Sequence, residues 1–287
     1  PRRGAMIAVA EAARNLVCVG ATPRAVTNNL NFGSPLKPHI YYQLREAILG
    51  MAEACRIFET PVTGGNVSLY NETDGAVIYP TPVIGMVGVV EDVERICRHS
   101  FAAEGDAILL LGATHNELGG SEYLYVVHGL VAGEPPGVDL PGERRLQQAL
   151  PAMIRARLLT SAHDCAEGGL ACALVEAAVG EGSRPHGVDV SLTDDLPPVP
   201  LLFGESQGRI VLSCAPAAAA EVRSLAHRHQ VPCAVIGTVG PAGGVFRIRA
   251  GSSGVSVPVR QLADVFFGAI PAHMDAPAAA APAHTAH

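Results

Sequence analysis

The chain has 287 residues, 48% of them hydrophobic and 16% charged, and a formal net charge of −7. Its length and apolar content favour a globular protein of one or two domains, and its acidic balance argues against nucleic-acid binding, which requires a basic surface. No apolar run in the sequence reaches the ~18 residues of a membrane span, so we expect a cytoplasmic protein without a membrane partner.

The first 90 residues predict two helices and several strands. Apolar residues spaced by threes and fours predict a helix at 4–19, and a strand follows at 24–30. Residues 61–69 are interpreted as strand and loop, and a hairpin turn at 71–75 leads into a β-rich stretch at 76–90. Pro38 begins a long predicted helix whose apolar stripe comprises Ile40, Leu44, Ile48, Met51, Cys55 and Phe58.

Charged residues cluster between 91 and 105, where the β pattern stops, and we place a domain boundary there. We therefore expect a mixed α/β architecture, with a first domain at 1–95 and a second at 96–271. An Ala-, Pro- and His-rich tail at 272–287 is expected to be disordered. In the second domain the patterns predict strands at 106–111, 209–213, 233–239 and 243–248, and helices at 143–159, 170–179, 216–229 and 259–267.

The cysteines are an odd number, scattered along the chain and set mostly among apolar neighbours. No pair has the two-residue spacing that is typical of zinc or redox motifs. We interpret them as buried, reduced thiols rather than metal ligands or nucleophiles. The seven are Cys18, Cys55, Cys97, Cys165, Cys172, Cys214 and Cys233.

The string TGGNVSLYNE at 63–72 is the most informative in the chain. The adjacent Gly64 and Gly65 allow backbone N–H groups to approach a phosphate closely. Asn66 offers an oxygen ligand that suits Mg²⁺, and Ser68 offers a hydroxyl to a phosphate or another substrate group. On these residues alone, a Gly-Gly turn with a capping Asn is the simpler interpretation.

A second string, ATPRAVTNNLNFGSP at 21–35, lies upstream and places three asparagines at the end of a predicted strand. On the residues themselves, this cluster is equally well explained by turn chemistry. Both strings, however, resemble the nucleotide-contacting strand and the second glycine loop of the formylglycinamidine synthases, in the aminoimidazole-ribotide-synthase-like superfamily. Further strings resemble the same family in the same order: IAVAEAARNL at 7–16, LGGSEYL at 118–124, AHDCAEGGL at 162–170 and LFGESQGR at 202–209.

The resemblance covers about residues 4–270 and implies the fold. An α/β domain that contributes to a shared β-barrel is followed by a C-terminal α/β domain. The complete enzyme of this family has two such halves, related as pseudo-repeats. The strings of this chain match the second half, so we expect the first half to be its partner, either as a separate chain or as sequence that precedes Pro1.

The resemblance also implies roles for individual residues. It identifies Asn28 and Gly65 as ATP-binding, Asn66 as a metal ligand and Ser68 as substrate-binding. The family has an aspartate at the position of Asn28; the amide keeps an acceptor oxygen but lacks the charge, so we expect a cation bridged there to be held more weakly. The family's proton acceptor is a histidine of the first half, so we expect no catalytic residue among the eleven histidines here.

The implied reaction is an amide-to-amidine conversion in purine biosynthesis, with ATP and Mg²⁺ as cofactors. The γ-phosphate of ATP activates the amide oxygen of formylglycinamide ribonucleotide, and ammonia then displaces phosphate to give the amidine, ADP and phosphate. No glutaminase-like sequence follows residue 270. The resemblance therefore implies the multi-subunit form, whose partners are a glutaminase subunit and a small scaffold subunit.

Several alternatives remain open on the sequence. The loop at 163–169 precedes a predicted helix whose N-terminus either faces an anion or is capped by Asp164 or Glu167. Glu205 and Gln207 are interpreted as structural, although the family's first-half copy of this string binds substrate. The chain is alternatively a non-catalytic half that holds a nucleotide, or another ATP-using enzyme of the superfamily, which the string Asn66-Val67-Ser68 argues against.

Overall fold

The computed structural model describes residues 1–180 and 184–275. Within them, every helix is too short or too polar to cross a membrane. The described helices are α1 (Arg2–Cys18), α2 (Pro38–Phe58), α3 (Glu122–His128), α4 (Leu140–Arg155), α5 (Gly169–Val179), α6 (Pro198–Phe203), α7 (Ala219–Arg228) and α8 (Val259–Asp275). The described strands are β1 (Thr22–Asn31), β2 (Val62–Ser68), β3 (Glu72–Thr73), β4 (Ala76–Val77), β5 (Thr81–Val89), β6 (Ala107–Leu111), β7 (Ser161–Asp164), β8 (His186–Leu192), β9 (Ile210–Cys214), β10 (Cys233–Ala242), β11 (Val245–Ala250) and β12 (Ser253–Pro258).

The first domain is a three-stranded sheet in the order β2-β1-β5, with α1 and α2 on one face. Strand β1 is parallel to β2 and antiparallel to β5. Helix α2 begins at Pro38, whose fixed φ suits the first turn. It ends before Glu59, a residue that has the left-handed backbone conformation. Turn residues Asp74 and Gly75 have φ of 51° and 80°, as the predicted hairpin requires.

The buried face of α2 differs from the predicted stripe at one position. Ile48 is 44% exposed, whereas Ala47 and Ala54 are buried. Helix α1 crosses α2 at Gly50, where an added Cβ would lie 3.0 Å from the backbone carbonyl carbon of Arg2. The close crossing explains why Ile48, predicted to lie in the buried stripe, is exposed. The contact buries the small residues of α2 and leaves Ile48 outside it.

The second domain is a seven-stranded sheet in the order β12-β11-β8-β10-β6-β9-β7. Strand β6, which lies between β10 and β9, is buried along its whole length. Ile108 and Leu110 face a core formed with α5, α6 and α8. Leu109 and Leu111 face a core formed with α4, α7 and the end of α1. The mixed α/β prediction is confirmed: this sheet is covered on both faces, which explains why β6 is apolar at every position.

Five elements of the second domain were not predicted. Strand β7 and helix α3 overlap strings that were considered only as motifs, and α6 has prolines at its first and third positions. Strands β8 and β12 each carry Gly and Ser, and glycine is depleted in strands. Helix α8 reaches Asp275, so residues 272–275 are helical, whereas the rest of the predicted tail, 276–287, lies outside the described residues.

The cysteines are confirmed as free thiols, five of them buried and two half-buried. Burial raises the pKa of Cys97 and Cys165 to about 11. These thiols are therefore protonated at neutral pH, which matches a packing role rather than a nucleophilic one.

Helix α1 connects the two domains through a buried arginine. Arg14 has no exposed surface; its Nη1 donates to Oε2 of Glu143 in α4 at 2.9 Å, and its Nη2 donates to Oε1 of Gln207 at 2.8 Å. Burial lowers the pKa of Arg14, but the carboxylates of Glu143 and Asp164 outweigh burial and raise this pKa overall. The guanidinium is therefore charged, and it bonds two segments of the second domain to the first.

We expect Arg14→Met to destabilise the protein by roughly 3–5 kcal/mol, because it leaves the buried carboxylate of Glu143 without its countercharge. Adding Glu143→Leu should recover part of this loss, since it removes the buried carboxylate that lost its hydrogen-bonded partner, whereas Asp164 stays buried without the charge of Arg14. The measurement is urea unfolding followed by circular dichroism. Arg247→Met is a matched control, because the Arg247–Asp189 pair is exposed and should contribute less than about 1 kcal/mol. Equal losses for the two single variants would contradict the prediction.

Candidate functional site

The register of β1 and β2 brings the predicted site residues together in neighbouring pairs. Asn28 lies beside Gly65, Asn29 beside Asn66 and Asn31 beside Ser68. Strand β2 is the edge of the sheet and is exposed from Val62 to Val67. Two strings that are separated by the whole of α2 therefore form one surface.

Gly65 is required by its neighbour. An added Cβ would lie 2.5 Å from the backbone oxygen of Asn28 and would also overlap its side-chain Oδ1. A Cβ added at Gly64 would meet open space, so the two glycines of the pair are not equivalent. Asn28 itself is half-buried, with Nδ2 at 4.0 Å from Sδ of Met51 in α2. Its side chain therefore lies on the helix-facing side of the sheet.

Asn66 lies on the opposite face. Its Nδ2 donates to Oδ1 of Asn29 at 3.1 Å, so these two side chains project from the same side of the sheet. Successive residues of a strand alternate between faces, and Asn28 is next to Asn29. The structure thus does not bring the side chains of Asn28 and Asn66 together.

Ser68 is held at the end of β2 by Asn71, a residue of the predicted hairpin turn. Its Oγ donates to Oδ1 of Asn71 at 3.2 Å, and Nδ2 of Asn71 donates to the backbone oxygens of Ser68 and Phe32. The signal was present, because Asn71 belongs to the same string as Ser68. Its role could not be assigned without the return of the chain toward β1.

The N-terminus of α5 already faces a carboxylate of this chain. Oε1 of Glu205 accepts hydrogen bonds from the backbone N–H of Gly168, at the start of α5, and of Glu122, at the start of α3, both at 2.9 Å. The anion at this helix terminus is therefore Glu205 rather than Asp164 or Glu167. With Gln207 accepting from Arg14, the structural interpretation of Glu205 and Gln207 agrees with their contacts.

Acidic side chains surround α1 where it meets this region. Burial, together with the carboxylate of Glu167, raises the pKa of Glu11 to about 7. This pKa in the folded protein lies above the ordinary carboxyl value of 4.5. Glu11 therefore ionises more readily in the unfolded chain, and the free energy of unfolding falls as the pH rises from about 4.5 to about 7. Near neutral pH, Glu11 is thus a titrating group at the domain interface.

A cavity of about 630 Å³ in the second domain lies beside the same contacts. Glu143 and Gln207, the two partners of Arg14, are among its lining residues, together with Glu117, Asp139 and Arg145. Within residues 1–180 and 184–275, no group of three or more His, Cys, Asp or Glu side chains is arranged to hold a metal ion. The predicted nucleotide, metal and substrate contacts, Gly65, Asn66 and Ser68, lie on β2 and do not line this cavity.

Comparisons with known families account for both domains. A model described as the N-terminal domain of AIR synthase related protein matches residues 1–90. A model described as the C-terminal domain of AIR synthase related protein matches residues 103–249. The segment between the two matches contains the predicted domain boundary.

Phosphoribosylformylglycinamidine synthase subunit PurL of Moorella thermoacetica is 54% identical over 249 residues, which are 87% of this chain and 34% of that protein. The structure of T. maritima PurL complexed with FGAR has a TM-score of 0.74 at 23% identity, covering 92% of this chain and 43% of that one. T. maritima PurL complexed with ATP has a TM-score of 0.70 at 23% identity, covering 92% and 41%. These structures show the fold. The chain spans about a third of the length of the curated relatives that it matches.

We expect Gly65→Ala to displace Asn28 and to weaken nucleotide binding at this loop by tenfold or more, because the new Cβ overlaps both the backbone and the side chain of Asn28. Gly64→Ala is the matched control and should change binding by less than about twofold, since its Cβ meets open space. Calorimetric titration with ADP and Mg²⁺ checks both variants. Similar affinities for the two variants would show that the close approach at Gly65 does not serve the nucleotide.

Proposed function

We propose that this chain, which belongs to the AIR synthase related protein family, supplies the C-terminal half of a phosphoribosylformylglycinamidine synthase. The reaction is the ATP-dependent conversion of formylglycinamide ribonucleotide (FGAR) and ammonia to the amidine, ADP and phosphate. The observation that carries this proposal is the 54% identity to a synthase subunit across 87% of the chain. The glycine loop, with its crowded contact between Gly65 and Asn28, lies within that chain.

The site residues of this half position ligands rather than transfer protons. At Gly65, the absence of a side chain makes room for Asn28, and the exposed edge strand β2 is accessible to a nucleotide. Asn28 lies directly beside Gly65 and offers an amide to the nucleotide without adding negative charge. Ser68 contacts the substrate from the end of the same strand. In this arrangement the chain contributes orientation, and the first half of the enzyme contributes the proton acceptor.

Asn66 is the residue that would hold Mg²⁺. Its Nδ2 is engaged with Asn29, which leaves Oδ1 of Asn66 as the group that can face a cation. An amide oxygen is a hard ligand of the type that Mg²⁺ accepts alongside phosphate oxygens, so the residue fits the ion. When bound, Mg²⁺ would neutralise charge on the phosphates of ATP.

The exposed face of the first sheet is suited to packing against a partner domain. Val83 and Val87 of β5 are 51% and 62% exposed and lie on the face opposite α1 and α2. An apolar sheet face of this kind is suited to packing against another sheet. We assign it to the first half of the enzyme, in the shared β-barrel. The name of the relative, a synthase subunit, supports further partners, which we propose to be a glutaminase and a small scaffold subunit.

A second candidate function is a half that holds a nucleotide without turning it over. Asn28 lacks the charge of an aspartate, and Glu205 occupies the start of α5, where an anionic ligand would otherwise find free N–H groups. Both observations fit a site that binds without catalysing. In either function the glycine loop binds a nucleotide.

We expect the natural polypeptide that carries this sequence to form ADP and the amidine from FGAR, ATP and ammonium, and residues 1–287 alone to form neither. The physical reason is that the fragment supplies ligand contacts but no proton acceptor. The assay follows ADP release and the amidine product. A panel with thiamine phosphate, selenide and formylglycinamidine ribonucleotide as substrates separates the other enzymes of the superfamily. Turnover by the fragment, or turnover only with a panel substrate, would contradict the proposal.

We expect Asn66→Asp to increase ADP affinity several-fold in Mg²⁺ and to decrease it in EDTA. A carboxylate strengthens a Mg²⁺ site, but without the ion it repels the phosphates. Asn28→Asp is the matched control, because its side chain lies on the other face of the sheet and should show no such reversal. Calorimetric titration of both variants in the two media decides the assignment. A reversal at Asn28 instead of Asn66 would move the metal site to the helix-facing side.

A further inference from the structure

The side chain of Asn71 determines which hydrogen bond Ser68 can offer a ligand. We propose that Asn71 fixes the Ser68 hydroxyl as a hydrogen-bond acceptor, so that it recognises an N–H or O–H group of the substrate and not its phosphate. The inference rests on the proposed function, in which Ser68 contacts FGAR. It adds that Ser68 accepts the hydrogen bond in this contact and that the substrate donates it, and it assigns Asn71 as a positioning residue.

The orientation of the Asn71 amide follows from its two backbone partners. The side-chain nitrogen of Asn71, Nδ2, lies 3.0 Å from the backbone oxygen of Phe32 and 2.9 Å from the backbone oxygen of Ser68. Carbonyl oxygens only accept hydrogen bonds, so the amide nitrogen and not its oxygen must face both. These two contacts use both N–H donors of the side chain. Oδ1 is therefore the atom that faces Ser68 Oγ, at 3.2 Å.

The polarity of Ser68 follows in turn. A serine hydroxyl carries one proton and two acceptor lone pairs. Since Oδ1 of Asn71 is only an acceptor, the proton of Ser68 lies in that contact, and the lone pairs are what remains for a ligand. A fully ionised phosphate monoester offers acceptor oxygens alone and would meet those lone pairs unfavourably. An amide N–H or a ribose hydroxyl would meet them favourably.

The backbone around Asn71 keeps this arrangement in place. Tyr70 has a φ of 62°, which turns the chain back toward β1 immediately before Asn71. The backbone N–H of Asn71 donates to the oxygen of Phe32 at 3.1 Å, and the N–H of Phe32 donates to the oxygen of Ser68 at 3.0 Å. Phe32 is almost completely buried. The hydroxyl of Ser68 is thus oriented before a ligand arrives, which reduces the entropy cost of binding.

The test compares FGAR with its nucleoside, which lacks the phosphate, in the complete enzyme at pH 8. We expect Ser68→Ala to lower kcat/KM about tenfold for both substrates, because the lost contact is to a group that both share. Ser252→Ala is the matched control, since Ser252 lies in an exposed turn between β11 and β12, and it should leave both values unchanged. Asn71→Ala should lower both values similarly, with little further loss when it is combined with Ser68→Ala.

The outcomes separate this inference from the proposed function. A loss with Ser68→Ala that is present for FGAR and disappears for the nucleoside would place the phosphate at Ser68 and overturn the inference, while the synthase activity stands. If Ser68→Ala left kcat/KM unchanged for both substrates, Ser68 would not be part of the substrate site. The inference would then be overturned, while the synthase activity would stand. Additive losses in the double variant would show that Asn71 acts on stability and not through Ser68. Absence of synthase activity in the unsubstituted enzyme would overturn both proposals.

Discussion

Arg14 is a full positive charge buried at the junction of the two domains, and the relative position of the domains depends on how that charge is compensated. Its guanidinium bonds to Glu143 at the start of α4 and to Gln207 in the loop before β9. A buried charge without partners would be prohibitively costly, so these contacts must form together when the chain folds. Arg14 thereby connects α1 to two segments of the second domain, and Arg144 of α4 makes a further connection to Ile57 and Glu59 at the end of α2.

The candidate site depends on a different constraint, the register between β1 and β2. That register places Asn28 against Gly65 and Asn29 against Asn66. Because side chains alternate along a strand, two adjacent asparagines face opposite sides of the sheet. One face is partly covered by α2, whereas the other is open. A nucleotide contact at Asn28 and a metal contact at Asn66 would therefore approach the same two strands from different directions.

Glu205 and Asn71 show how this chain prepares polar contacts with its own groups. Glu205 accepts from the first turns of two helices, and Asn71 accepts from Ser68 while it donates to two carbonyls. The first arrangement fills a position at which an anion would otherwise bind. The second leaves an oriented hydroxyl for a ligand.

The sequence by itself determined the local features of this protein: the start of α2 at Pro38, the turn at Asp74-Gly75, and the apolar strand that became β6. It also placed the glycine loop and its resemblance to a family, because a motif is local. Only the tertiary structure decided the contacts between distant residues. Asn29 and Asn66 are 37 positions apart, and Arg14 and Gln207 are 193 positions apart. Strand periodicity fixes which residues share a face within one strand, but pairing and packing between strands and helices decide which distant side chain each of them meets.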